Sequence, residues 1–159
     1  MALATKQNSV EVDQIDRRLL HELQEDADRP NVELARLCGL SPAATLNRVR
    51  RLKEAGLVTG IKARLDATVA GFPLQVYVAV TLAQHDERSH VRFEKAVQLI
   101  PGVLDADWVT GETDAMLTVV ARDVDDLQRI LNMLQKGGAQ RIITLLRLER
   151  LKRDSPLPV

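Results

Sequence analysis

The sequence predicts an α+β fold in two parts, a small helical domain followed by a larger domain built on an antiparallel sheet. In the first third of the 159 residues, apolar side chains recur at helical spacing. Further along, β-branched runs with alternating polarity are separated by helical stripes, which is the pattern of a domain that mixes strands and helices. Between the two parts, Gly71 and Pro73 interrupt the periodic patterns and mark a boundary.

A first helix is predicted for residues 12 to 25. Asp13 can cap its start, and Asp16 stands three residues later, where the reciprocal partner of a capping box belongs. The apolar stripe of this helix comprises Ile15, Leu19, Leu20 and Leu23.

A second, short helix is predicted to have Asn31 as its cap and to end at Gly39, because glycine adopts a left-handed backbone at low cost. Ser41 then caps a third helix, and Pro42 occupies its first position, where the missing N–H costs nothing. The third helix is expected to end at Gly56, with residues 57 to 65 extended beyond it. Its predicted apolar stripe is Leu46, Val49 and Leu52.

Charge is distributed unevenly along the chain, although 22 Lys and Arg balance 22 Asp and Glu. Residues 11 to 28 contain seven acids and two bases, whereas residues 36 to 64 contain seven bases and one acid. A compact cationic segment therefore coincides with the third helix, and the rest of the chain is slightly acidic. On charge alone, this segment is equally compatible with a solvated helix face.

The second part of the chain is predicted to follow the order strand, helix, strand, strand, helix, strand. This is the βαββαβ order of ferredoxin-like domains, in which the helices cover one face of an antiparallel sheet. Residues 111 to 114 form a tight connection between the second and third strands, which pair as a hairpin. The predicted strands are residues 74–82, 103–109, 116–121 and 141–151; the helices are residues 91–100 and a segment that begins after Asp123 and ends at Gly137 and Gly138.

Several functional classes are disfavoured by the composition. The single cysteine, Cys38, cannot form an intramolecular disulfide, and the three histidines show no metal-ligand spacing. No apolar run approaches the roughly 18 residues of a membrane span, and no secretory signal begins the chain. No nucleophile motif or phosphate loop is present. We therefore expect a cytoplasmic protein that is not an enzyme and uses neither a metal nor a cofactor.

Two short helices joined by a glycine-containing turn, with cations on the second, predict a helix-turn-helix whose second helix enters the DNA major groove. Arg48 and Arg51 can contact phosphate or guanine, and Asn47 can read adenine. The alternative for each arginine is a solvated or salt-bridged surface residue, and Arg50 is left undecided. The predicted DNA-binding set is Ser41, Ala43, Ala44, Thr45, Asn47, Arg48 and Arg51.

The helix-turn-helix segment contains a characteristic set of residues, namely Asn31 to Ala35, Gly39 to Pro42, Arg48, Val49, Arg51, Leu52 and Gly56. This set resembles the Lrp/AsnC family of regulators, the leucine-responsive, asparagine-responsive or feast/famine proteins of bacteria and archaea. The resemblance implies that the first helix supports the other two from behind, with its acids facing away from DNA. It also implies a flexible tail at 1–10, a winged helix-turn-helix domain at 11–58, an extended linker at 59–73, a ferredoxin-like effector-binding and oligomerisation domain at 74–152, and a C-terminal tail at 153–159.

The second domain of that family carries a Gly-acid-x-Asp turn between its second and third strands, near the interface between dimers. Gly111 allows close approach of a ligand, backbone N–H groups can bind a carboxylate, and Asp114 can face an ammonium group. The alternative is an ordinary hairpin turn in which Asp114 bonds to its own backbone. The predicted effector site is Thr110, Gly111, Glu112, Thr113 and Asp114.

These observations predict a sequence-specific DNA-binding transcriptional regulator that responds to a small effector, an amino acid. One recognition helix contacts few base pairs, so two helices about 34 Å apart are needed, and at least a homodimer is expected. The family resemblance implies further assembly to an octamer. The alternative is an architectural DNA-bending protein that oligomerises without sensing a ligand.

Overall fold

The computed structural model describes residues 11–84, 86–152 and 155–159, and the tail expected at 1–10 lies outside these residues. The chain divides into two compact units. One contains the described residues up to Ala63 together with those from Lys152 onward, and the other contains the residues from Arg64 to Leu151. The boundary at Ala63 lies within the segment assigned to the linker.

The first unit contains three helices, α1 (Gln14–Glu25), α2 (Asn31–Cys38) and α3 (Pro42–Glu54). Asp13 and Asp16 form the predicted capping box, since each carboxylate accepts a hydrogen bond from the other's backbone N–H, at 2.7 and 3.2 Å. The predicted apolar stripe of α1 faces the interior of this unit, where its side chains pack against α2. This packing is favourable because it removes apolar surface from water. The core comprises Leu19, Leu34 and Cys38, with Ile15, Leu23, Leu40 and Val49 packed around it.

The turn between α2 and α3 follows the sequence prediction, whereas the cap at the start of α2 does not. Gly39 has a φ of 67° and lies in the left-handed region, and the Ser41 hydroxyl accepts the Ala44 N–H at 3.2 Å. The prediction that Asn31 caps α2 is wrong, because Pro30 holds that position and the helix begins at Asn31. The Asn31 amide instead donates to the Pro42 carbonyl at 2.9 Å, which fastens the start of α2 to the start of α3.

The segment between α3 and the second unit is less extended than predicted. Residues 55 to 73, all of which are described, contain no strand, so a β wing is not formed there. Residues 57 to 65 are irregular, but residues 66 to 72 form a turn in which the Asp66 carboxylate accepts the Val69 N–H at 3.0 Å. The Asp66 side chain stabilises this turn, because it accepts a backbone N–H that follows it in the chain. The prediction of a wholly extended linker is therefore wrong at residues 66 to 72.

The second unit has the predicted βαββαβ order, and this confirms the ferredoxin-like fold. All neighbouring strands are antiparallel, and their order across the four-stranded sheet of the described residues is β2-β3-β1-β4. The elements are β1 (Leu74–Leu82), α4 (Glu87–Gln98), β2 (Val103–Trp108), β3 (Ala115–Ala121), α5 (Val124–Gly137) and β4 (Ala139–Leu146).

Two elements differ in length from the prediction. Helix α4 begins earlier than residue 91, because the Asp86 carboxylate accepts the Ser89 N–H at 2.7 Å and caps it. Strand β4 ends at Leu146 rather than at residue 151. It pairs with β1, and its last ladder bond joins the Arg147 N–H to the Gln75 carbonyl at 2.9 Å, so β1 offers no partner beyond that point.

One face of the sheet is covered and the other is open. Val76, Val78 and Val80 of β1 are buried beneath α4 and α5, which contribute Phe93 and Leu134 to the same core. On the opposite face, several apolar side chains are accessible to solvent, as alternation along a strand requires. These are Tyr77, Ile143 and Leu145. None of the described helices is long and apolar enough to cross a membrane.

The C-terminal tail expected at 153–159 packs on α1 from residue 155 onward. The Leu157 N–H donates to the Gln24 side-chain oxygen at 2.7 Å. Leu157 and Val159 help to line a cavity of about 380 Å³, together with α1 side chains such as Leu20 and Leu23 and with residues 57 to 62. All the residues that line this cavity belong to the helical unit.

We expect Gly102→Ala to destabilise the second unit by about 1 to 3 kcal/mol, the usual cost of overpacking. A Cβ at Gly102 would lie 2.5 Å from the Ile130 Cδ1 and 2.8 Å from the Val120 carbonyl oxygen. Urea unfolding measures the loss. The control is Gly60→Ala, where an added Cβ meets nothing within 4 Å. Equal free energies of unfolding for the two variants would show that the residues around Gly102 shift to make room for the added methyl group.

Candidate nucleic-acid interface and effector turn

Two arginines of α3 are bound to acids of α1. The Arg48 guanidinium donates to Asp13 Oδ2 at 2.6 Å and to Asp16 Oδ1 at 2.9 Å, and the Arg51 guanidinium donates to Asp16 Oδ2. We call these four side chains the arginine clamp. The sequence analysis gave salt-bridged arginines as the alternative but did not identify Asp13 and Asp16 as their partners, because it assigned the acids of α1 to a surface facing away from DNA.

Asp16 is the centre of the clamp, because its side chain has no solvent exposure. A buried carboxylate is costly unless its lone pairs are satisfied, and here the two arginines and the Asp13 N–H satisfy them. The carboxylates of Asp13 and Asp16 in turn raise the pKa of Arg48. Because both guanidinium groups bind this one buried carboxylate, they fix the rotation of α3 about its axis.

Asp13 makes the clamp sensitive to acid. The Asp16 backbone N–H, followed by the Arg48 guanidinium, lowers the pKa of the Asp13 carboxyl below its ordinary value of 3.8. Because the pKa of Asp13 is lower in the folded chain than in the unfolded chain, its ionised carboxylate stabilises the fold. This stabilisation is fully present above pH 3.8 and is lost as the pH falls through the lowered pKa. The clamp is therefore intact at neutral pH.

Thr45 corrects the prediction for the apolar stripe of α3 and for the DNA-binding set. Its side chain is fully buried, and its hydroxyl donates to the Ser41 carbonyl at 3.0 Å. Leu46, predicted to be buried, is instead 51% exposed. The first inward position is therefore Thr45 instead of Leu46, since a threonine can be buried once its hydroxyl is bonded to the preceding turn. The other two residues of the predicted stripe, Val49 and Leu52, do pack inward. Thr45 cannot reach a base.

The outward side of α3 is continuous over its first three turns. Ala43, Leu46, Asn47 and Arg50 are all exposed, and their spacing of three and four residues places them on one side of the helix. We call these four residues the recognition face. Lys53 and Glu54 follow in the last turn, and both are exposed.

The remaining members of the predicted DNA-binding set lie at the start of α3. Ser41 is exposed at the N-cap, and Ala44 is half-buried. The sequence analysis included Ala43 and Asn47 but omitted Leu46 and left Arg50 undecided. No signal in the sequence indicated that Thr45 is buried. Its burial leaves Leu46 and Arg50 on the outward side of α3.

The predicted effector residues form the connection between β2 and β3. Thr110, Gly111 and Glu112 are exposed, and Thr113 is half-buried. Gly111 has a φ of 122°, a conformation that favours glycine. Among the described residues, no acceptor binds the N–H groups of Gly111, Glu112 and Thr113. Successive unbonded N–H groups are suited to binding an anion.

Asp114 holds this turn against β1. Its N–H donates to the Val80 carbonyl at 2.9 Å, and its carboxylate accepts the Leu82 N–H at 2.7 Å. Its carbonyl also accepts the Val109 N–H at 2.9 Å, which closes the hairpin. Asp114 thus fixes the position of the turn through the neighbouring strand, rather than through its own backbone alone. In the described part of the chain, no group of His, Cys, Asp and Glu side chains is arranged to hold a metal ion.

We expect Asp16→Asn to destabilise the helical unit by about 1.5 to 3 kcal/mol, because it removes charge from hydrogen bonds to two guanidinium groups. Chemical denaturation followed by helical circular dichroism measures the change. Asp26→Asn is the control, since its carboxylate is half exposed and lies 3.9 Å from the Arg29 guanidinium. If both variants unfold at the same denaturant concentration as the original chain, the clamp contributes nothing to stability.

Comparison with known proteins identifies both units. The model of the AsnC-type helix-turn-helix domain matches residues 12–53, and that of the Lrp/AsnC ligand binding domain matches residues 75–157. The chain is 35% identical over 150 residues to the HTH-type transcriptional regulator AldR of Mycolicibacterium smegmatis, covering 92% of this chain and 87% of the relative. It is 31% identical over 161 residues to the leucine-responsive regulatory protein of Escherichia coli K12, covering 100% and 98% of the two chains.

Solved structures agree with this result. A transcriptional regulator from Neisseria meningitidis, in complex with L-Met, matches with a TM-score of 0.87 and 29% identity over 93% of this chain and 97% of that one. An AsnC family regulator from Agrobacterium tumefaciens matches with a TM-score of 0.84 and 27% identity, over 92% and 97% of the two chains. The resemblance read from the helix-turn-helix residues is thus confirmed, and the chain belongs to the Lrp/AsnC family of transcriptional regulators.

Proposed function

We propose that the chain regulates transcription by placing the recognition face of α3 in the major groove of double-stranded DNA, under the control of a small amino acid. The observation that carries this proposal is the division of α3 into two sides. One side is bound to α1 through the arginine clamp and contains the buried Thr45, and the other presents apolar, amide and cationic groups to solvent. These are the groups that contact thymine methyls, adenine edges and phosphates.

Arg48 and Arg51 act in this proposal as positioning residues. Their guanidinium groups are already bonded to Asp13 and Asp16, and moving them to DNA would leave the buried Asp16 carboxylate with the Asp13 N–H as its one remaining partner among these groups. Arg50 supplies the phosphate contact, and Asn47 reads a base. Ser41, Ala43 and Ala44 lie at the N-terminal end of α3, the end that approaches the bases in helix-turn-helix proteins.

The effector site is the turn from Thr110 to Asp114. The unbonded N–H groups of Gly111, Glu112 and Thr113 are suited to a carboxylate, and the relative that binds L-Met supports an amino acid as the ligand. Asp114 fixes the turn through its bond to Leu82 and thereby holds these N–H groups in place.

A homodimer that assembles further to an octamer fits the open face of the sheet. Tyr77, Ile143 and Leu145 leave apolar surface exposed on the side opposite α4 and α5, and such surface is usually covered by another copy. Two recognition faces are also needed to read a site of useful length. In this role the protein binds DNA and an effector in the cytoplasm and catalyses no reaction.

We expect Arg50→Ala to weaken binding to all DNA sequences alike. It removes one phosphate contact, so the slope of log K against log salt concentration should fall in magnitude by about 1. Fluorescence anisotropy with a labelled duplex at several salt concentrations measures this slope. Arg129→Ala, which removes an exposed arginine from α5, is the control and should leave the slope unchanged. Identical slopes for both variants and the original chain would exclude Arg50 from the interface.

We expect one or more of the twenty amino acids to raise the melting temperature and to change the fluorescence of Trp108. This is the only tryptophan of the chain and ends β2 beside the turn. A ligand at 100 times its dissociation constant stabilises the native state by about 2.7 kcal/mol. Gly111→Val should abolish this response without altering DNA binding in the absence of ligand.

Gly71→Val is the matched control for that variant. Gly71 also has a positive φ and open space around it, so valine causes similar backbone strain away from the turn. Loss of the response in both variants would argue against the turn as the site. If no amino acid changes either signal while the protein still bends DNA, the architectural alternative replaces the sensing role.

A further inference from the structure

Leu46 is an apolar side chain in the middle of an otherwise polar and cationic helix face. It is 51% exposed although it sits in the second turn of α3. Ala43 and Asn47 lie beside it on the recognition face, and Arg50 lies one turn further along. The α1 helix does not use it, because Thr45 and Leu52 fill the inward positions of α3.

We propose that Leu46 is a specificity-determining residue that reads the 5-methyl group of a thymine in the major groove. This inference rests on the proposed function and assigns one base contact to it. Leucine neither donates nor accepts a hydrogen bond, so it cannot read the polar edge of any base. The thymine methyl is the apolar group that the bases present in the major groove, and a side chain in contact with it removes both from water.

The charges around Leu46 favour DNA over a protein partner. Arg50 and Lys53 are exposed on or next to the recognition face, and the segment from residue 36 to residue 64 carries seven bases against one acid. A surface of this sign attracts a polyanion. A second copy of the chain would bring the same cations opposite one another, which is unfavourable for pairing through this face.

The arginine clamp makes the contact possible. Arg48 and Arg51 hold α3 at a fixed rotation, and this rotation turns Leu46 outward and Thr45 inward. Asn47, next along the chain, projects from the same side of the helix. Leu46 and Asn47 are therefore positioned to contact neighbouring bases, the first through a methyl group and the second through hydrogen bonds.

The test begins with selection of duplexes from a random pool by the full chain, which yields its preferred site. Each thymine of that site is then replaced in turn by deoxyuridine, which removes the methyl group and keeps the base pair. We expect one symmetric pair of positions to lose on the order of three- to fivefold in affinity per methyl group, the amount that burial of one such group corresponds to. Leu46→Ala should bind the thymine site more weakly and should bind thymine and uracil sites equally.

Leu99→Ala is the matched control, because Leu99 is 75% exposed on the second unit. It should retain the preference for thymine. The inference is overturned if Leu46→Ala keeps the thymine preference of the original chain, if no uracil replacement weakens binding, or if Leu46→Ala changes the oligomeric state in place of DNA specificity. Selection of no sequence above background would instead reject the proposed function itself, so the two failures are distinguishable.

Discussion

The carboxylate of Asp16 is shielded from solvent and accepts hydrogen bonds from two arginines of the facing helix and from the Asp13 backbone. Breaking any of these bonds leaves a charge in a poorly solvated place, so the three partners are held together. Because both arginines come from α3, the rotation of α3 about its axis follows from this one contact. The side of α3 that remains outward, from Ala43 to Arg50, is consequently fixed as the surface available to DNA.

Local signals made most of the fold predictable. The capping box at Asp13, the left-handed Gly39 and the Ser41 cap each act within four residues, and the helix boundaries they predict are observed. The order of strands and helices in the second unit followed from periodicity in the same way. Contacts between distant residues were not predictable, because nothing near Asp16 indicates that it meets Arg48 and Arg51. Of the candidate site, helix α3 and its exposed residues Ala43 and Asn47 were predicted, whereas the burial of Thr45 and the exposure of Leu46 were not.

The same division between a covered and an open side recurs in the second unit. The sheet buries Val76, Val78 and Val80 beneath its helices and leaves Tyr77 and Leu145 open on the other face. Each unit thus buries its own core and leaves one surface open, which we propose binds DNA in the first unit and another copy of the chain in the second. A net charge of zero accords with this arrangement, since the acids of α1 neutralise arginines behind the DNA-binding surface and leave the cations of the recognition face free to attract phosphate.

We expect the arginine clamp to persist when DNA is bound. Nuclear magnetic resonance of the side-chain guanidinium groups, recorded with and without the selected duplex, measures this. The signals of Arg48 and Arg51 should stay protected from exchange and keep their positions, while those of Arg50 and the Asn47 amide should shift. Large shifts of Arg48 and Arg51 on binding, together with loss of their coupling to Asp16, would contradict it.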